Sequence, residues 1–323
     1  MGLNLCLTNE ELAVIDALDD GTLYAASNLV KELFSYPYLS DSRLLVSRNA
    51  QGQPTGYIPL GLYASNEGQL IASYIPAIPA SPPISPTYTP GAENVIANLD
   101  QLLDETATYF DVDVVAQHDF SYFEETASAY CMPLDKYLPY LSTSRRKDFK
   151  RKLKNANKYQ IEAGDLNDVL NAWSWMKQVW EKRGAYDSDH VRRVVRWLSE
   201  IQASGRAIMK VDKYMLNGKT VGVNCCVIHH YYGITHIDDY LTWYDASIAS
   251  GLGIVSAINN LTDPNYYGAR YNLGLPGFYG KTFGGHEYKW DIFPENIRLS
   301  QSIVNLDPEL SAESDIIFAD EFL

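Results

Sequence analysis

Residues 235–261 read THIDDYLTWYDASIASGLGIVSAINNL, and this stretch restricts the fold more than any other in the chain. Residues 235–243 are rich in β-branched and aromatic side chains, Tyr244-Asp245-Ala246-Ser247 is turn chemistry, and Gly251-Leu252-Gly253 opens an apolar helical run. A strand that feeds a glycine loop into a helix leaves free N–H groups and the positive end of the helix dipole pointing outward, where a phosphate can sit. The two glycines matter because a side chain there would hold the anion away from the backbone. An ordinary tight turn uses glycines in the same way, so the neighbouring elements decide between the two readings.

Those neighbours form a regular series. Residues 159–162 read as a short strand. Asp165 caps a helix carrying Val169, Trp173, Met176 and Trp180 with Gly184 at its end, and Ser188 starts another with Val191, Val194, Val195, Leu198 and Ile201 inward. Residues 207–216 and 220–229 flank Asn217-Gly218, a pair suited to the type I′ turn of a hairpin. After the helix at 252–261, residues 270–273 read as a strand, 274–285 as a glycine-rich loop with aromatics, and 287–293 as a final strand.

The N-terminal half is organised differently. Thr8-Asn9-Glu10-Glu11 is a capping-box pattern ahead of a first helix, and a second is expected over residues 23–34. Strands are expected at 43–47, 55–63 and 69–74, the first two joined by hairpin chemistry at 49–52. Six prolines within residues 76–90 force an extended loop, followed by a helical pattern at 93–110 and a strand at 112–117.

Charge and cysteine usage limit the partners. The formal net charge of -14 opposes the approach of DNA or an anionic membrane, and no run reaches the roughly 20 apolar residues of a membrane span. Cys6, Cys131, Cys225 and Cys226 have no metal-ligand spacing and read as free thiols of a cytoplasmic protein. Against the acidic background, residues 144–158 (SRRKDFKRKLKNANK) hold eight of the 26 basic residues and one acid. Phe149, Leu153 and Ala156 give this segment an apolar stripe, so it reads as an amphipathic helix whose basic face is either simply solvated or a contact for an anion. Beyond Arg298 the chain carries six acids and no base, the composition of a solvated tail.

The order strand, helix, helix, strand, Asn-Gly turn, strand, strand, glycine loop, helix, strand resembles the GNAT acyltransferase superfamily. The superfamily's pyrophosphate loop reads Gln/Arg-x-x-Gly-x-Gly/Ala; residues 248–253 supply both glycines, with Ile248 in place of the polar first residue. Within the superfamily the chain is most similar to the Fem-type aminoacyltransferases and cellulose-biosynthesis-type acetyltransferases. The shared features are a leucine-rich lead at 134–141 running into the basic helix, the Gly218-Lys219 hairpin, the aromatic-Asp turn Tyr244-Asp245, and Gly274 followed by Tyr279-Gly280-Lys281. The resemblance implies an α/β fold with a mixed α+β sheet. It implies two GNAT-like lobes: a degenerate one at 1–140 and an acyltransferase lobe at 141–300, ahead of an acidic tail at 301–323.

The expected activity is N-acyl transfer, of which N-acetyl transfer is one form, from acyl-CoA or an acyl carrier protein to an amine of a small molecule or peptide. No metal is required. An aminoacyl-tRNA donor, disfavoured by net charge but favoured by the basic helix, and a catalytically inactive binding subunit are the alternatives. Acyl transfer needs a donor pocket, a base for the ammonium and polarisation of the thioester carbonyl. The donor loop is assigned to Ser250, Gly251, Leu252, Gly253 and Ile254. Strand alternation places His236, Asp238 and Tyr240 on one face and Ile237, Asp239, Leu241 and Trp243 on the other. Asp239, a carboxylate on an apolar face, is one candidate base and His236 is another; a strand-bulge cap and a hydrogen-bonded sheet histidine are the corresponding structural roles. Tyr266, Tyr267 and Tyr279, which follow the loop, are the candidates that protonate the leaving thiolate, with Tyr279 preferred. Trp243, Arg183 and Lys281 are the candidates for substrate binding.

Overall fold

The computed structural model describes residues 7–33, 41–64, 70–74, 89–98, 101–102, 114–115, 127–182, 188–231, 233–273 and 288–299. They fall into two units, one within Met1–Glu125 and one within Thr126–Ser300. The expected tail at 301–323 lies outside the described residues, as do Arg183, Tyr279 and Lys281.

In the first unit, helix α1 (Asn9–Ala17) starts at the capping box. Thr8 Oγ1 accepts from the Glu11 N–H, and the Glu11 carboxylate accepts from the Thr8 N–H. The other Glu11 oxygen takes the N–H of Leu44 at 3.0 Å, tying the helix to strand β1 (Asp41–Arg48). Helix α2 is Ser27–Leu33, preceded by a single 3-10 turn at Leu23–Ala25. Strands β2 (Pro54–Ala64) and β3 (Leu70–Tyr74) continue an antiparallel meander, and β4 (Val114–Val115) joins it parallel to β3. Short helix α3 (Ala92–Ile96) packs on β2 where two backbones nearly touch: a Cβ on Gly56 would lie 1.9 Å from the Gly91 carbonyl oxygen.

The second unit is built on six strands: β5 (Ser128–Tyr130), β6 (Gln160–Ala163), β7 (Ala207–Leu216), β8 (Lys219–Tyr231), β9 (Ile234–Tyr244) and β10 (Arg270–Asn272). Their order is β5-β10-β9-β8-β7-β6. Every pair is antiparallel except β9 and β10, which run parallel because helix α8 (Leu252–Leu261) carries the chain back between them. This is the mixed α/β arrangement expected from the element order. At the β7–β8 turn, Asn217 and Gly218 both have positive φ, as a type I′ turn requires.

Helices cover both faces. On one side lie α4 (Leu134–Tyr137), the basic helix α5 (Thr143–Ala156), α8 and α9 (Tyr288–Ile292). Phe149, Ile258, Leu261, Ile292 and Phe293 from these helices close over Ile237 and Tyr271 of the sheet. On the other side lie α6 (Leu166–Lys182) and α7 (Ser188–Ser204), with Trp173 against Trp243 and the Trp197 indole N–H donating to the Tyr240 hydroxyl.

Two expectations are corrected. Of the final strand expected at 287–293, the described residues 288–293 do not form a strand. Tyr288–Ile292 is a helical turn whose spacing puts Lys289, Ile292 and Phe293 inward, and the Lys289 carbonyl accepts from the Phe293 N–H. The alternation along β9 also fails at one point. Cys225 pairs with Leu241 and Cys226 with Asp239, so Tyr240 is an extra residue with no opposite number. Cross-strand partners share a face, so Asp239 sits with Cys226 under α8, whereas Leu241 and Trp243 sit with Cys225 and Val223 under α6.

Candidate functional site

The parallel pairing of β9 with β10 lasts three residues and ends at Asp238 opposite Asn272. Asp239 is the next residue, at the point where, among the described residues, β9 continues with β8 alone. It is 8% exposed and lies on the α8 face. Its Oδ2 accepts from the Tyr271 hydroxyl at 2.5 Å and its Oδ1 from Asn224 Nδ2 at 2.9 Å. Burial pushes its pKa up to about 6, and those two hydrogen bonds to the charged form hold back a larger rise. At neutral pH the group is mostly ionised but only weakly acidic, the range a general base needs. Tyr271 is driven well above its ordinary value by burial and by the adjacent carboxylate, so it remains a donor.

A chain of side chains runs back from Asp239 through the sheet. Asn260 Nδ2 on α8 donates to Asn224 Oδ1 at 3.0 Å, and Lys210 Nζ on β7 donates to Asn260 Oδ1 at 3.0 Å. Each amide accepts on one end and donates on the other, so the four groups are polarised in one direction, from the ammonium to the carboxylate. Burial opposes the Lys210 charge, but the carboxylates of Asp212 and Asp263 outweigh it and hold its pKa above the usual value. Lys289 Nζ bonds the Leu273 carbonyl, and burial drops its pKa to about 8 despite the favourable field of Asp239.

The glycine loop lies beyond the end of β9. Asp245 closes the turn, accepting from Ser247 N–H and hydroxyl, while its carbonyl takes the Ala249 N–H at 2.7 Å. Gly251 is the N-cap of α8 in left-handed conformation, φ +83. The N–H of Leu252 bonds Ala249 and that of Ile254 bonds Gly251. Among the described residues the N–H groups of Gly251 and Gly253 meet no acceptor. The Leu252 side chain is buried in the small cluster with Tyr214 and Val255, and that of Ile254 packs on the main core. These two residues anchor the helix, and Ser250 is exposed on the loop.

The basic helix lies beside this loop. A Cβ placed on Gly251 would be 3.7 Å from Cε of Lys152, whose ammonium pairs with Asp148 at 2.8 Å. Arg145 pairs with Asp291, and Arg146 binds the carbonyls of Leu138, Pro139 and Leu141. Lys147, Lys150 and Lys154 are exposed. The loop thus combines two open N–H groups, no obstructing side chain and a lysine stem within contact distance. That combination fits a pyrophosphate.

His236 is on the opposite face from Asp239. It is 3% exposed and stacks on His229 at 5.3 Å, and His229 Nε2 lies 3.1 Å from Asp238 Oδ2. Burial and the Arg270 charge hold the His236 pKa well below the ordinary imidazole value. His236 and Asp239, side by side as candidate bases in the sequence, are separated by the thickness of the sheet. Trp243 is buried against Trp173 on the His236 side.

Cys131, Cys225 and Cys226 are free and buried; desolvation raises all three thiols, Cys131 to about 12, so none is nucleophilic at neutral pH. No group of three or more His, Cys, Asp or Glu among the described residues could hold a metal ion, and no described helix is long and apolar enough to cross a membrane.

Lys210, Asn224, Asn260 and Tyr271 did not emerge from the sequence as site residues. Two signals for them exist there: Asn224 interrupts the apolar run of β8, and Asn260 falls on the inward face of α8.

No protein-family model matches the chain, and no curated protein matches it in sequence. Among solved structures, a conserved protein of unknown function from Bacteroides thetaiotaomicron VPI-5482 superposes with a TM-score of 0.50 at 13% identity, covering 90% of this chain and 95% of that one. The C-terminal DUF2156 domain of a putative lysylphosphatidylglycerol synthetase from Agrobacterium fabrum gives 0.46 at 12% identity over 96% and 95%. FemX gives 0.45 at 11% identity over 88% and 92%.

Proposed function

We propose that the chain is an N-acyltransferase that moves an acyl group from acyl-CoA, or from the same pantetheine arm on an acyl carrier protein, to an amine. The observation that carries this reading is Asp239: a buried carboxylate with a pKa of about 6, set where β9 and β10 part, on the strand that leads directly into the glycine loop.

In this reading the loop receives the donor's pyrophosphate on the N–H groups of Gly251 and Gly253, with Lys152 alongside, and the thioester lies along β9 toward the divergence. Asp239 takes a proton from the acceptor ammonium. The neutral amine nitrogen attacks the thioester carbonyl carbon, the C–S bond breaks as the C–N bond forms, and the thiolate leaves as a thiol after taking up a proton. Tyr271, already bonded to Asp239, holds the carboxylate in one orientation throughout. Tyr279 and Lys281, outside the described residues, remain proposals for the thiol proton and for the acceptor, as does Arg183 for acceptor binding; Trp243, buried against Trp173 on the face opposite Asp239, lies away from an acceptor held there.

A second reading uses aminoacyl-tRNA as donor, and the exposed Lys147, Lys150 and Lys154 of α5 favour it. The two are separated by melting the protein with coenzyme A and acetyl-CoA, and by a gel shift with tRNA. A saturable rise in midpoint with the thioester, together with amine-dependent thiol release, supports the first reading. Salt-sensitive tRNA binding with no response to any coenzyme A species replaces it with the second. Thioester binding without turnover of any amine tried identifies a binding subunit.

A further inference from the structure

The chain of side chains that ends on Asp239 begins at the surface. The Lys210 side chain is 23% exposed, and its Nζ lies 3.2 Å from Asp212 Oδ2 and 3.6 Å from Asp263 Oδ2. Asp239 is the buried end of the same series. An ammonium can only donate and an ionised carboxylate can only accept. The two amides between them therefore have one sense: Asn260 presents its oxygen to Lys210, and Asn224 its nitrogen to Asp239.

The elements packed around Asp239 bring both neutral and charged groups to it. Tyr271 stands on β10, Cys226 on β8 and Tyr214 on β7; burial raises all three above their ordinary values, so they stay neutral. Helix α8, LGIVSAINNL, has no charged residue. Among the described residues, the cations near Asp239 are Lys289 on α9 and Lys210 on β7, the latter with Asp212 beside it. Lys289 acts through space from its place on the Leu273 carbonyl, whereas Lys210 is joined to the carboxylate by hydrogen-bonded amides. Hydrogen bonds in series polarise one another, so the field of the ammonium reaches the carboxylate along this line.

We propose that Lys210 is a positioning residue for the base: acting through Asn260 and Asn224, its ammonium holds Asp239 ionised and in one orientation, and the carboxylates of Asp212 and Asp263 set how much of that charge Asp239 feels. The proposal rests on Asp239 as the base of the transfer proposed above, but the hold of Lys210 on Asp239 is measurable without turnover.

The test is a carbon-13 NMR titration of the Asp239 carboxyl, assigned by its loss in Asp239→Asn, in the full chain and three further variants. Lys210→Met should raise the titration midpoint by about half a pH unit or more, because a cation is lost from the end of the line. Lys210→Arg, which keeps the cation and its donors, should restore the wild-type midpoint. Asp263→Asn removes a counter-charge of Lys210 and should lower the midpoint; its amide oxygen can still accept from the Asn265 N–H, so the local turn is kept. A purely structural ion pair predicts lost stability with no movement of the carboxyl midpoint. An unmoved midpoint in Lys210→Met overturns the proposal, as does a Lys210→Arg midpoint displaced as far as that of Lys210→Met; should Lys210→Met not fold, an unmoved midpoint in Asp263→Asn overturns it. Amine-dependent thiol release from acetyl-CoA separates this outcome from failure of the transferase reading. Turnover with an unmoved carboxyl midpoint removes Lys210 and leaves the reading, whereas the expected shifts without turnover of any thioester remove the reading and leave the coupling of Lys210 to Asp239.

Discussion

The Tyr271 hydroxyl donates to Asp239 Oδ2 at 2.5 Å, from the first strand beyond the glycine loop back to the strand before it. This bond favours the ionised carboxylate and opposes the effect of burial. Tyr271→Phe should therefore raise the Asp239 pKa from about 6, moving the acid limb of the kcat/KM profile upward by about one pH unit. A profile with an unmoved limb removes Asp239 as the titrating base.

Asp239 and Lys289 should leave opposite marks on stability. The folded-state pKa of Asp239 is raised, so between about pH 4 and 6 the folded chain binds more protons than the unfolded one, and stability falls as pH rises through that window. The Lys289 pKa is lowered to about 8, so the unfolded chain binds more protons between about pH 8 and 10, and stability rises there with pH. Urea midpoints measured across both windows check this. Asp239→Asn should flatten the first slope and, by removing the field that favours the Lys289 charge, extend the second toward lower pH.

Two glycine substitutions separate anion binding from backbone strain. Gly251 has φ +83, so Gly251→Val should cost about 1–3 kcal/mol of stability whatever the loop binds. Gly253 has no such conformation, and a Cβ there meets only Tyr244 Cε1 at 3.7 Å. Gly253→Val should leave the urea midpoint nearly unchanged while reducing coenzyme A affinity at least tenfold, because the side chain stands over the open N–H groups. Unchanged affinity per folded molecule would take the loop out of the site.

Asn260 links Lys210 to Asn224. Asn260→Ala leaves the Asn224 carbonyl oxygen without this donor and the Lys210 ammonium without one acceptor, and should cost about 1–3 kcal/mol. Activity per folded molecule should fall as well, since Asn224 is then free to turn away from Asp239. Stability loss with full specific activity would make the chain of amides structural only.

The element series of the second unit was legible because each piece carries local chemistry. The Asn217-Gly218 turn, the β-branched run of β9 and the glycines ahead of α8 all specify their own conformation. Asp239 stood out as a charge in an apolar strand for the same reason. Its partners did not, because Asn224, Asn260, Tyr271 and Lys210 are brought together by sheet register and by the seat of α8, which no local pattern encodes. The segment at 287–293 looked like a strand because its alternation is short enough to suit either state; packing of Ile292 and Phe293 on the core chose the helix.

The extra residue Tyr240 has a broader consequence. The sheet acts as a partition between two chemically distinct compartments, one holding a carboxylate that titrates near pH 6 and the other holding the stacked imidazoles of His229 and His236 beside a guanidinium. Along β9 the residue count works like a reading frame, and one insertion shifts the phase for everything downstream. Because of that shift, Trp243 seals the imidazole side while Asp239, four positions earlier and of the same parity, opens on the other. Regular pairing of the same sequence, with no bulge at Tyr240, would place the acid and its aromatic seal in the same compartment.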